Sequence, residues 1–217
     1  WVAPADLSLP DAAQKLAAAM QRAKRPIDVL VNNAGILNHG AFVDMPPQYH
    51  HAMIDLNITG LTTMIAHLAP GMVARGQGRI LNVASIAAFQ PIPTLATYAA
   101  TKAYVLSLTE SLSEEFKGTG VSITALCPGI TATNMFSGAK AESAQLANLP
   151  KFLIGDAKVV AQEGFDACMR GDARQISSTL ATPRAVSRIA CTNTGFDRPA
   201  LASSWASTRS GSPGRVQ

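Results

Sequence analysis
RILNVASIAAFQPIPTLATYAATK, residues 79–102, is the stretch from which the rest of the chain can be read. Its apolar run from Ile80 to Ala84 has strand length and lies between Gly78 and Ser85. Its end opens a helical pattern, because Val105, Leu108, Leu112 and Phe116 recur at three- and four-residue spacing. Tyr98 and Lys102 are four residues apart and so share one face of that helix. A phenol titrating near pH ~10 is a poor acid or base at neutral pH. A neighbouring ammonium favours the phenolate and is expected to lower the Tyr98 pKa. Ser85, on the loop after the strand, is placed to hold a substrate oxygen. The three together suit a carbonyl/alcohol interconversion. Tyr-x-x-x-Lys alone is common on amphipathic helices, so the weight comes from its surroundings.

Those surroundings follow one another in order. Asn32-Asn33-Ala34-Gly35 ends a strand, Asn57 lies within DLNITG, Ser85 follows LNVA, Tyr98 precedes Lys102, and Pro128-Gly129 ends another strand. Over about residues 1–170 this resembles the short-chain dehydrogenase/reductase family. The resemblance implies a doubly wound parallel α/β sheet of Rossmann type and a nicotinamide cofactor, NAD or NADP. It implies that Tyr98 is the acid/base, that Lys102 tunes it and binds ribose, and that Ser85 orients the substrate. Asn57 would hold a water that links Lys102 to solvent. Asn33, Ala34 and Gly35 would line the cofactor, while Asn32 would steady the central loops. Pro128, Gly129, Ile130 and Thr133 would receive the nicotinamide. Asp6 would meet the adenine or, equally, cap a loop. Family members act on small alcohols and ketones and are often homo-oligomeric.

Along the chain, a helix is expected from Leu9 to about Lys24, ended by Arg25-Pro26. Ile27 to Val31 is apolar and β-branched, the composition of a strand buried on both faces. Residues 46–76 predict a helix with a break near Asn57, since asparagine competes for backbone hydrogen bonds inside a helix. Val121 to Leu126 predicts the next strand, and Asp156 to Arg170 another helix. Between them, residues 134–155 correspond to the family's mobile lid. The dehydrogenase domain is expected at 1–171. Residues 172–217, rich in Ser, Thr, Arg and Pro, predict a flexible tail without a final strand.

At 217 residues and 47% hydrophobic, the chain suits one α/β domain. No apolar run reaches the ~18 residues of a membrane span, and the first ten residues lack a signal-peptide pattern. Cys127, Cys168 and Cys191 are widely spaced and odd in number, which predicts reduced thiols and a cytoplasmic protein. The four histidines and three cysteines show no metal-ligand spacing, so no metal is expected. The net charge of +4 matches the excess after Gly171, where six arginines face Asp172 and Asp197. Such a segment, without aromatic interleaving, is weak support for nucleic-acid binding.

The family's Thr-Gly-x-x-x-Gly-x-Gly turn, which cradles pyrophosphate at a helix N-terminus, does not occur in this chain. The expectation is therefore a partial Rossmann domain lacking the first two strands, with Ile27 to Val31 left as an exposed edge. The residues present do not distinguish NAD from NADP. A second reading stays open, a non-catalytic fragment or pseudoenzyme of the same family that cannot hold cofactor.

Overall fold
Four parallel strands in the order β1-β2-β3-β4 organise the chain: β1 (Val29–Asn32), β2 (Gly78–Val83), β3 (Val121–Cys127) and β4 (Arg174–Ile176). The computed structural model describes residues 2–132 and 154–177. The helices are α1 (Ala12–Arg22), α2 (Pro47–Ile54), α3 (Leu61–Arg75), α4 (Ala96–Glu115) and α5 (Ala157–Arg170).

Strand alternation sorts the core into two layers. Ile80 and Ala84 of the β2 segment, with Val121, Ile123, Ala125 and Cys127 of β3, pack with α1, α3 and α4. Leu81 and Leu126 point the other way, onto Val160 and Cys168 of α5. Helices thus cover both faces, the doubly wound arrangement expected from the sequence. Asp156 caps α5 by accepting from the Lys158 and Val159 amides at 2.8 and 3.1 Å, and Gly171 ends it in the left-handed region.

Three local expectations are corrected. Ile27 to Val31 is not buried on both faces. β1 buries Leu30, whereas Val29 and Val31 are exposed, because α5 lies over β2 and β3 and no described residue covers β1 on that side. Among the described strands β1 pairs only with β2. The helix of residues 46–76 does not break at Asn57. It widens into a π-helical turn at Asp55–Gly60, with α2 and α3 running straight into it. Gly60 allows this turn to take the preceding loop, since a Cβ there would stand 2.7 Å from the Leu7 carbonyl.

The third correction is β4. Residues 172–177 are not tail. Arg174–Ile176 pair with Ala125–Cys127, flanked by Ala125 N–H donating to Ala173 O and Ser177 N–H to Cys127 O. Two polar residues and one isoleucine give too short a pattern to announce a strand. The ladder and the Thr124 hydroxyl, which donates to Asp172 O at 2.6 Å, hold it instead. The rest of the expected tail and most of the expected lid lie outside the described residues.

Candidate active site
The carboxyl ends of β1, β2 and β3 meet at one end of the sheet, where open parallel sheets hold ligands. Each contributes a loop: Asn33 to Leu37, Ala84 to Phe89, and Pro128 to Ala132. The loop segments bind one another through the backbone. Ala84 N–H donates to Leu126 O and Ile86 N–H to Pro128 O, at 2.8 and 2.9 Å.

α4 lays Tyr98, Ala99, Thr101, Lys102 and Val105 against these loops as one buried stripe. Tyr98 and Lys102 are 8% and 5% exposed. The Lys102 amine donates to the Val83 carbonyl at 2.8 Å and lies 5.7 Å from the Tyr98 ring centroid. Burial lowers its pKa to about 8. The nearby Cys127 would oppose this only as a thiolate. Burial pushes that thiol up to about 12, so at neutral pH it is uncharged.

The Tyr98 phenol departs from expectation. Its pKa is raised, not lowered, because desolvation dominates. The opposing influence is a hydrogen bond from Ser85, which favours the phenolate. Ser85 also caps the short 3-10 turn Ile86–Phe89 by accepting from Ala87 N–H at 3.1 Å. It is therefore held on one side by backbone and turned on the other to the phenol.

Asn57 is 1% exposed, and its amide is occupied on both sides. Its Oδ1 accepts from Ile36 N–H at 2.9 Å. Its Nδ2 reaches Ile36 O at 3.0 Å and Thr101 Oγ1 at 3.1 Å. It fastens the loop after β1 to α4. A Cβ on Gly35 would lie 3.2 Å from Asn57 Oδ1 and 3.5 Å from Lys102 Nζ, so glycine lets the loop pass close to both. Asn33 and Ala34 beside it are exposed.

Asn32 supports the sheet, as expected, by donating to Asn82 Oδ1 at 2.8 Å. Gly129 N–H reaches Ser177 Oγ at 3.4 Å, and its carbonyl accepts from Thr131 Oγ1 at 3.0 Å. Ile130 O accepts from Gly155 N–H at 2.7 Å. Thr133 lies outside the described residues. Asp6 is fully exposed and accepts from both the amide and hydroxyl of Ser8, which lower its pKa. These two bonds are those of a loop cap.

Sequence reasoning missed Asn82 and Thr109, both 0% exposed and hydrogen-bonded to each other. An asparagine inside a buried strand was the available signal. His50 belongs to α2. The ring is half-buried, stacked 4.4 Å from Phe42 and bonded to Thr97 Oγ1 at 2.8 Å. Among the described residues no His, Cys, Asp or Glu cluster suits a metal, and no helix is long and apolar enough to cross a membrane.

Buried phenol, serine hydroxyl and desolvated amine lie together beside the loop after β1, a grouping chemically able to carry a proton transfer. Comparison with known proteins points the same way. The family described as short chain dehydrogenase matches residues 1–144. Escherichia coli (strain K12) oxidoreductase UcpA is 40% identical over 124 residues, covering 55% of this chain and 47% of that protein. Acetoacetyl-CoA reductase of Shinella zoogloeoides is 42% identical over 110 residues, covering 51% and 46%. This chain therefore spans about half the length of the curated relatives it matches. A short-chain dehydrogenase from Sphingobium yanoikuyae, solved in complex with NADPH, superimposes with a TM-score of 0.74 at 26% identity, over 98% of this chain and 78% of that one.

Proposed function
The chain belongs to the short-chain dehydrogenase family, and from that premise we propose that it performs the acid/base part of hydride transfer between a nicotinamide cofactor and a small alcohol or carbonyl substrate. One observation supports this above the others: the Tyr98 phenol is buried, the Ser85 hydroxyl beside it favours its phenolate, and the Lys102 amine lies 5.7 Å from its ring centroid. Because Tyr98 and Ser85 are within hydrogen-bond reach of each other, both can meet one substrate oxygen. In reduction Tyr98 gives that oxygen its proton, and Ser85 donates to the charge that develops there. In oxidation the proton returns to Tyr98, and the Ser85 hydrogen bond offsets part of the burial that disfavours phenolate. Lys102, with a pKa of about 8, is divided between charged and neutral forms near working pH and is suited to passing protons on. Asn57 keeps Thr101 and the Ile36 backbone in place around this pair, and in our reading also holds the relay water.

The fit to a cofactor rests on Gly35. Without a side chain the loop lies close against Asn57 and Lys102, where a Cβ would stand 3.2 Å and 3.5 Å from their polar atoms, and this brings the loop's backbone to the acid/base pair where the ribose would sit. Asn33, Ala34, Gly35, Tyr98 and Lys102 would hold the ribose, and Pro128, Gly129 and Ile130 the nicotinamide. The cofactor supplies the hydride. NAD and NADP are both admitted; the relative solved with NADPH makes the latter the first to try. The free, buried thiols of Cys127 and Cys168 favour a reducing compartment such as the cytoplasm.

Titrating the chain with NADPH and NADH while following cofactor fluorescence tests this reading. Saturable quenching by either, together with loss of turnover in Tyr98→Phe at unchanged melting temperature, is expected. No quenching by either cofactor at millimolar concentration would favour the non-catalytic reading instead.

A further inference from the structure
Asn82 stands in the middle of the core with both ends of its amide engaged. It is 0% exposed and precedes Val83, whose carbonyl receives Lys102. Its Oδ1 accepts from Asn32, its register partner on β1, at 2.8 Å. Its Nδ2 donates to Thr109 Oγ1 at 2.9 Å, and the Thr109 hydroxyl donates to Val105 O at 2.6 Å. Each link along this line is a hydrogen bond, and the line runs from β1 through β2 into α4.

Thr109 follows Lys102 by seven residues, so it lies on the same stripe of α4 about 10 Å further along the axis. The buried bonds at Thr101 and Lys102 both lie in the first two turns of α4 and leave its far end free to pivot. Apolar contacts from Val105 and Leu106 do not prevent this, because they tolerate small slides. A second directional bond at Thr109 does, since a one-residue slide moves it ~1.5 Å and breaks it. Asn32, on the other side of Asn82, ends the strand that leads into Asn33–Gly35.

We propose that Asn82 is a positioning residue that sets the acid/base helix α4 against the loop after β1, through Thr109 on one side and Asn32 on the other. This rests on the assignment of Tyr98 and Lys102 given above. A polar pair in an apolar layer serves register better than stability, since apolar groups of equal shape could replace it at little cost.

Thr109→Val removes the hydroxyl at nearly constant volume, and Thr109→Ser restores it. Three readouts are needed: melting temperature, titration of Lys102 by NMR of its ε-CH2 group, and kcat against KM with NADPH. Thr109→Val should displace the Lys102 titration and lower kcat by roughly ten- to a hundred-fold with a smaller change in KM. Thr109→Ser should return both to near the parent's. A fall in melting temperature alone, with the Lys102 titration and kcat unchanged, would overturn the proposal. If the parent itself shows no turnover, the Lys102 titration decides. Movement in Thr109→Val with recovery in Thr109→Ser upholds the positioning role while the reaction assignment fails alone. Should Thr109→Val not fold, Asn32→Leu cuts the other arm; it should speed amide exchange at Ile36, and unchanged exchange there would count against the proposal.

Discussion
The Lys102 amine is fixed to the Val83 carbonyl at 2.8 Å rather than to any carboxylate. A backbone carbonyl is a dipole, not a counter-charge, so burial is only partly offset and the ammonium is held at a cost. This is the relationship that gives the site a group titrating near 8, and it makes the site's chemistry visible in the stability of the fold.

Because the Lys102 pKa is lower folded than unfolded, the folded protein releases this proton first. Between about 8 and 10 this group binds more protons in the unfolded chain, so its own contribution to stability rises with pH over that window. The penalty at neutral pH is on the order of 3 kcal/mol. The raised pKa values of the Cys127 and Cys168 thiols work in the opposite direction from about pH 9, and that of Tyr98 above pH 10, since these groups ionise first in the unfolded chain. The Lys102 contribution is therefore read as a difference: in urea melts from pH 7 to 10 the parent should gain stability relative to Lys102→Met. Parallel pH courses in both would reject the assignment.

Ser85→Ala should act twice. Loss of the bond to Tyr98 leaves burial unopposed, so the basic limb of the rate profile should move to higher pH. Loss of the cap on Ile86–Phe89 should cost about 1 kcal/mol. A pH–rate profile superimposable on the parent's would rule out the Ser85–Tyr98 coupling.

Gly35→Ala places a methyl 3.2 Å from Asn57 Oδ1 and 3.5 Å from Lys102 Nζ. The first distance requires movement of the amide that holds Ile36. The expected result is at least ten-fold weaker NADPH binding with a melting temperature within a few degrees of the parent's. Binding unchanged within two-fold would mean the close approach at Gly35 does not shape the cofactor's site.

The architecture was legible wherever pattern and chemistry coincided. Val121 to Leu126 and Asp156 to Arg170 announced themselves by an apolar run and by helical spacing. Tyr98, Lys102, Ser85 and Asn57 were readable as an ordered set, and the structure brings all four to one end of the sheet. What failed to show in the sequence depended on partners distant in the chain. Val29 and Val31 look like core, and only the position of α5 over β2 and β3 leaves them exposed. The sign of the Tyr98 shift depends on how deeply the ring is buried, which i,i+4 spacing does not encode. Asn57 gave notice of irregularity, yet a π turn and a break have the same local signature.

β4 yields the last prediction, and it reverses what the composition after Gly171 suggests. Arg174, Gln175 and Ile176 have no periodicity, but their backbone completes the edge of β3. Ending the chain at Gly171 would strand Ala125 N–H, the Cys127 carbonyl and the Thr124 hydroxyl, which now pair with Ala173, Ser177 and Asp172. Ala125, Cys127 and Thr124 are all 0% exposed. Net values of ~0.5–1.5 kcal/mol per bond give a loss of roughly 2–4 kcal/mol. Removal of the Arg174–Glu110 ion pair, half-exposed on both sides, adds little. The Gly129 amide would also lose Ser177, so the loop assigned to the nicotinamide should loosen with the strand. Two truncations separate strand from tail. Ending at Ser177 should leave the urea midpoint and NADPH affinity near the parent's, while ending at Gly171 should lower both. If the two truncations melt alike, β4 contributes nothing to the fold and residues 172–177 are tail after all.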